Sequence, residues 1–226
     1  LSLEEPDIQE KISEIKKLPN IEILTSTTVK EINGQPGDFN VVLSVDDENK
    51  EYKIASIVLA TGWKPYDASK ISLFGYDKHL NVITNIELEE MTLRENIRKP
   101  SDNGQVESVL FIQCAGSRDP ENLPYCSSYC CATTLKQVKY IREQNKESLV
   151  YIVYKDIRSP GFLEIFYKEI QSDPNVFLTK GEVLNIDEND DALSTEIKDE
   201  LLGENILIES DLVVLATGMT PANSED

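Results

Sequence analysis

Every cysteine of the chain lies between Cys114 and Cys131, in the run Cys-Ala-Gly-Ser-Arg-Asp-Pro-Glu-Asn-Leu-Pro-Tyr-Cys-Ser-Ser-Tyr-Cys-Cys. Four thiolates at Cys114, Cys126, Cys130 and Cys131 suit an iron–sulfur cluster. The spacing Cys-x11-Cys-x3-Cys-Cys differs from the paired Cys-x2-Cys of most zinc ribbons and of ferredoxins. Structural zinc fits the ligand count, and a redox pair of thiols is the third reading. A Cys130–Cys131 bridge would be strained and would leave Cys114 and Cys126 unexplained. Arg118 and Arg158 are candidates to neutralise a cluster or to meet a partner. The single histidine, His79, stands in a polar stretch and reads as a solvated loop residue, so His-based metal sites and Ser-His-Asp catalysis have little support. No general acid or base stands out.

The thiols need a scaffold, and their flanks describe one. Glu107–Gln113 reads as a buried strand, Ala132–Arg142 as a helix with Leu135, Val138 and Ile141 at helical spacing, and Leu149–Tyr154 as a second buried strand. Strand, helix, strand is a βαβ unit, the start of a doubly wound nucleotide-binding domain. The cysteine loop then occupies the turn where a dinucleotide phosphate would sit. A cluster held by four thiolates carries net negative charge, so the positive end of the following helix would stabilise it as it would a phosphate.

A repeat organises the rest. Residues 6–18 read as an amphipathic helix, Asn20–Thr25 as a strand, and Val29–Ile32 with Val41–Val45 as a hairpin; Tyr52–Ala60 then rises into an apolar strand ending in Val-Leu-Ala-Thr-Gly. The same order returns from Phe162–Gln171, through strands to Ile208, and closes on the same pentapeptide at Val214–Gly218. The first copy lacks a preceding βαβ unit, which implies a piece of a longer protein that starts partway through its first nucleotide domain. Asn85–Asn96 is an expected helix and Lys99–Gly104 a polar linker. The expected division is residues 1–99 as the later part of a first nucleotide-binding domain plus linker, 100–221 as a second nucleotide-binding-like domain carrying the cysteine loop, and 222–226 as a tail. The fold class is α/β, with two Rossmann-like domains bearing antiparallel insertions, the first incomplete.

Two nucleotide domains that each end in Ala-Thr-Gly resemble the two-dinucleotide-domain flavoprotein disulfide reductases, of which thioredoxin reductase is the compact form. The departure is in the second domain: nowhere in the chain are two glycines separated by a single residue, so Gly-x-Gly-x-x-Gly is absent and nicotinamide binding there has no phosphate turn. Phe111–Asp119, Pro124–Ser127, Cys130-Cys131 and Tyr154–Gly161 are similar to the A subunit of heterodisulfide reductase and of the quinone-interacting oxidoreductase complex. That resemblance implies FAD on the thioredoxin-reductase-like core and a [4Fe–4S] cluster on Cys114, Cys126, Cys130 and Cys131. It implies electron transfer between flavin, cluster and the partner subunits of such a complex, with a homodimer also allowed. Thr61, Gly62 and Trp63, and Thr217 and Gly218, are the candidates to approach FAD. The enzyme alternative is an NAD(P)H-dependent disulfide reductase with a redox cysteine pair; the non-enzyme alternative is a zinc-stabilised assembly domain.

Composition narrows the classes. With 22 basic against 41 acidic residues the formal charge is −19, which repels nucleic acid and anionic lipid. A hydrophobic content of 40% over 226 residues supports one or two real cores. No apolar run reaches the ~20 residues that span a bilayer, and the start of the sequence has no signal-peptide pattern. A cytoplasmic protein is expected, where clustered cysteines bind metal or do redox chemistry more often than they form disulfides.

Overall fold

A computed structural model describes residues 7–94, 96–189 and 192–222. Pro6, Glu95 and the expected tail from 223 onward lie outside the described residues. Two compact units divide at Thr61/Gly62, not near residue 100.

In the first unit, Asp7 accepts the Glu10 N–H through its side chain at 2.9 Å and starts α1 (Ile8–Ile15). Three strands follow, β1 (Thr27–Gln35), β2 (Asp38–Val45) and β3 (Glu48–Ile54), as an antiparallel meander in sequence order. Both turns are written in the sequence. Pro36-Gly37 joins β1 to β2 with Gly37 at φ +95°, and Asp46-Asp47 joins β2 to β3 with φ of +48° and +67°, the left-handed pair that suits a two-residue hairpin.

Two expected strands do not form here. Asn20–Thr25 is coil, and the chain leaves the meander at Ile54, so Val58 and Leu59 are 89% and 79% exposed. A strand needs a neighbour for its backbone groups, and among the described residues of this unit the only sheet is the meander. The first Ala-Thr-Gly therefore closes no sheet.

The second unit contains β4 (Trp63–Pro65), β5 (Val82–Thr84), α2 (Asn85–Leu93), β6 (Ser108–Ala115), α3 (Cys130–Gln144), β7 (Leu149–Tyr154), α4 (Leu163–Gln171), β8 (Val176–Asn189), β9 (Ala192–Asp199), β10 (Asn205–Ser210), β11 (Leu212–Thr217) and β12 (Met219–Pro221). Seven strands form one sheet in the order β10-β9-β8-β7-β6-β11-β5, parallel from β8 to β5. The unit is an α/β, Rossmann-like fold. β5 belongs to it because Val82, Ile83 and Thr84 pair with Val213, Val214 and Leu215, which draws the segment before residue 100 into this unit.

Alternation along β6 explains the layers. Val109 and Phe111 pack against α2, α3 and α4 through Leu88, Leu135, Val138, Ile141, Phe166 and Ile170. Leu110 and Ile112 face the other way, into Val183, Ile186, Leu193, Ile197 and Ile208 of β8, β9 and β10. Helices thus cover one face and an antiparallel meander the other. β8 makes this possible: its first half pairs with β7, and from Gly181 onward it pairs with β9. Leu135, Val138 and Ile141 are each at most 3% exposed, which contributes roughly 1.5–3 kcal/mol apiece relative to exposure.

The ends of α2 also follow from the sequence. Thr84 and Glu87 form a reciprocal capping box, with the Thr84 N–H donated to Glu87 Oε2 at 2.7 Å. The helix stops at Leu93, short of Asn96. His79 is 4% exposed, and its Nδ1 lies 3.0 Å from Glu188 Oε2 on β8, so it ties the segment before β5 to the meander and is not a solvated loop residue. No helix among the described residues is long and apolar enough to cross a membrane.

Candidate metal centre

In an open parallel sheet, ligands bind beyond the strand C-termini where the strand order reverses. Here the chain runs outward from β6 to β7 and β8 on one side, and β11 lies on the other. The cysteine loop begins at the end of β6 and finishes in the first turn of α3, directly at that position. Cys114 is still within β6 but has φ +57°, and Gly116, Arg118 and Ser128 have φ of +78°, +57° and +61°. Left-handed backbone at non-glycine residues costs on the order of 1–3 kcal/mol each, so the loop holds a specific, tensioned shape.

Backbone bonds fold the loop onto itself. Leu123 N–H reaches Gly116 O at 2.9 Å, Arg118 N–H reaches Tyr125 O at 3.0 Å, and Asp119 N–H reaches Leu123 O at 3.0 Å. The side chain of Leu123 is buried beneath it. No side chain caps the N-terminus of α3, so the first N–H groups of that helix face the loop without a protein partner of the usual kind.

All four thiols are free and interact with one another electrostatically. Cys130 Sγ lies 3.4 Å from Thr217 O at the end of β11. Cys131 Sγ accepts the Arg158 N–H at 3.4 Å, and Cys126 Sγ accepts the Ser128 N–H at 3.4 Å. Burial pushes the Cys130 thiol up to about 12, with the other three cysteines adding to the shift. Burial also raises Cys114 and Cys131, opposed at Cys114 by Arg118 and at Cys131 by the Arg158 N–H. Four thiolates crowded here need a cationic occupant to remain ionised together. Among the described residues, no three His, Cys, Asp or Glu side chains gather closely enough to hold one metal ion.

Arg118 is turned toward the thiols: its Nη2 donates to Asp156 Oδ2 at 2.7 Å, Nη1 is buried with no oxygen or nitrogen acceptor, and the guanidinium interacts with the Cys114 thiol. A buried cationic donor beside thiols fits an anionic sulfur-rich group, and so does the donor chemistry of the four cysteines.

The FAD candidates divide differently. Thr61 and Gly62 are exposed coil. Trp63 is half-exposed in β4 and packs on Tyr129, ring centroids 5.4 Å apart at 45°. Thr217 is fully buried: its Oγ1 donates to Asn85 Oδ1 at 2.9 Å, and its carbonyl accepts from Tyr129 Oη at 3.0 Å. Gly218 packs against Ser117, Ser127 and Leu123. Thr217 and Gly218 thus abut the cysteine loop. The described residues contain no glycine-rich phosphate turn, and the position where the second unit would carry one is filled by the loop, so they do not fit FAD's pyrophosphate.

Sequence reasoning passed over Asn85 and Ser127. Asn85 Nδ2 donates to Tyr129 Oη at 3.2 Å, closing a ring of bonds with Thr217, and Ser127 Oγ accepts the Met219 N–H at 2.8 Å. Asn85 opens α2 behind a legible capping box, but nothing local reveals that its amide reaches a residue 132 positions away.

No family model matches the chain. It is 35% identical over 189 residues to the A subunit of the H(2):CoB-CoM heterodisulfide,ferredoxin reductase of Methanothermobacter thermautotrophicus, covering 80% of this chain and 29% of that protein. It is 39% identical over 184 residues to the iron-sulfur A subunit of the CoB–CoM heterodisulfide reductase of Methanocaldococcus jannaschii, covering 77% of this chain and 28% of the relative. Among solved structures, T. acidophilum thioredoxin reductase overlaps 86% of this chain and 53% of its own at a TM-score of 0.45 and 16% identity, too loose a likeness to carry an argument. The chain spans less than a third of the curated relatives it matches. Over that stretch, the chain belongs to the heterodisulfide reductase A-subunit family.

Proposed function

We propose that this chain is part of an electron-transfer subunit of a heterodisulfide reductase-like complex, with a [4Fe–4S] cluster held by Cys114, Cys126, Cys130 and Cys131. The carrying observation is that the four cysteines bracket the head of α3, with Cys114 at the end of β6 and Cys130 and Cys131 in the first turn of the helix, and that the Arg118 guanidinium interacts with the Cys114 thiol. When bound, such a cluster would supply one-electron transfer. The chain would supply placement and charge. The Arg158 N–H and the Ser128 N–H would orient the sulfurs of Cys131 and Cys126, and Leu123 and the Trp63–Tyr129 pair would limit water. Each thiolate of such a cluster binds its own iron, so the sulfurs stand farther apart than round a single zinc at about 2.3 Å.

In this reading partner subunits carry electrons between the centre and the terminal acceptor. FAD is implied by the sequence resemblance alone; of the residues described, Thr61, Gly62, Trp63, Thr217 and Gly218 are those proposed to approach it, without a phosphate cradle.

The test is iron and acid-labile sulfide analysis with a visible spectrum of anaerobically prepared protein. About four irons per chain and a brown chromophore support the proposal. Stoichiometric zinc, or an iron-free disulfide reduced by a nicotinamide, overturns it.

A further inference from the structure

We propose that Arg118 sets the one-electron reduction potential of the four-cysteine centre and that Asp156 attenuates it. The inference rests on the cluster reading above. Arg118 is fixed at both ends: its backbone is left-handed, with its N–H on Tyr125 O at 3.0 Å, and its Nη2 is on Asp156 Oδ2 at 2.7 Å. Its side chain is 26% exposed and that of Asp156 54%, so the cation is the more sheltered member of the pair.

Arg118 acts on thiols from two elements, Cys114 at the end of β6 and Cys131 in the first turn of α3. An arginine serving only to tie the loop to the segment after β7 would spend its donors on that segment. Here Nη1 is buried with no oxygen or nitrogen acceptor, and the guanidinium interacts with the Cys114 thiol, a contact that a tie alone does not require. A thiolate or sulfide facing Nη1 would satisfy it.

The physical consequence has a sign. One-electron reduction adds one negative charge to the centre, and a nearby guanidinium stabilises the more negative state. Arg118 therefore raises the potential. The Asp156 carboxylate, whose pKa the hydrogen bond from Arg118 lowers, opposes that effect. Removing the cation lowers the potential, and removing the carboxylate raises it. Both changes break the same ion pair, so a purely structural role would move both variants the same way.

The experiment is anaerobic reconstitution of the wild-type chain, Arg118→Gln and Asp156→Asn with ferrous iron and sulfide. Mediators of known potential then supply or remove the electron in an optical titration. Arg118→Gln is expected to keep its iron and to shift downward by at least the tenfold change in reduced-to-oxidised ratio that about 59 mV represents for one electron. Asp156→Asn is expected to shift upward. Unchanged potentials, or shifts of the same sign, overturn the inference while leaving the cluster reading intact. If Arg118→Gln alone fails to hold iron, Asp156→Asn decides: an upward shift supports the inference and no shift overturns it. A wild-type chain without iron is read separately, from the metal count, and overturns the cluster reading and this inference with it.

Discussion

The hydroxyl of Ser117 occupies the space into which a side chain on Gly218 would grow. A Cβ at Gly218 would overlap Ser117 Oγ and come within 2.8 Å of Ser127 Oγ and 2.9 Å of Leu123 Cδ1. The end of strand β11 and the cysteine loop are thus packed backbone to side chain. The glycine of the second Ala-Thr-Gly is required for contact, not for an unusual φ.

Gly218→Ala is therefore expected to destabilise the second unit by about 1–3 kcal/mol through overpacking. Ser117 Oγ has no hydrogen-bond partner, so its removal frees room at little cost. The double variant Gly218→Ala/Ser117→Ala should recover part of the loss in urea denaturation. Additive losses would show that the overlap is not what Gly218 avoids.

Asn85 is fully buried and serves three groups: Thr217 Oγ1, Tyr129 Oη and, through its carbonyl, Gln137 Nε2 at 2.6 Å. Asn85→Ala keeps the carbonyl but strands the Thr217 hydroxyl and loosens Tyr129. A loss of about 1–3 kcal/mol is expected from leaving buried polar groups unpaired. The chain has one tryptophan, Trp63, which packs on Tyr129, so its emission should shift in the same variant. Unchanged emission with unchanged stability would count against the ring of bonds.

What could be read in the sequence was what is local. The β6–α3–β7 unit was legible because apolar runs and helical spacing state it, and the cysteine loop took its expected place because that place follows from strand order. Val58–Ala60 failed for a non-local reason: the pentapeptide that builds a fully buried strand at Val214–Gly218 lies exposed at Val58–Gly62, where no parallel neighbour flanks it. His79 failed for the same reason. Its polar surroundings say loop, and only the return of β8 supplies Glu188 and buries the ring. The unit boundary moved because three residues, Val82–Thr84, found β11 across more than a hundred positions of chain.

Arg142 fastens α3 to the approach to β8. Its Nε and Nη2 donate to Asp173 Oδ2 and Oδ1 at 2.8 and 3.1 Å, and Nη1 donates to Ser148 O at 2.7 Å and to Lys146 O. The Arg142 fork, aided by the Asn175 N–H, holds the Asp173 carboxyl below its ordinary value. A depressed folded pKa contributes stability above the unfolded value of about 3.9 and loses it as pH falls through the folded one. Asp173→Asn should then be less stable than wild type at neutral pH by about 1–3 kcal/mol, with the gap closing below about pH 4. Denaturant midpoints of both proteins across that range check it. A gap independent of pH would mean the carboxylate charge is not what matters. Arg142→Lys, which cannot make the two-pronged contact, should resemble the asparagine variant at neutral pH.

Cys131 tests the centre itself. Its sulfur accepts the Arg158 N–H and lies in the first turn of α3, and serine preserves both the size and the acceptor while removing the soft thiolate that iron requires. Cys131→Ser is expected to bind fewer than four irons and to lose the visible chromophore after anaerobic reconstitution. Its metal-free form should keep the far-UV circular dichroism and melting temperature of metal-free wild type, because Val109, Phe111, Leu135 and Val214 form the core without help from the thiols. Cys130→Ser carries the same expectation with one difference. Cys130 lies against Thr217 O, so a serine hydroxyl can take that carbonyl and leave the β11 end in place. Loss of secondary structure in both metal-free variants would make the four cysteines a folding element. Retention of four irons in either would remove that residue from the ligand set.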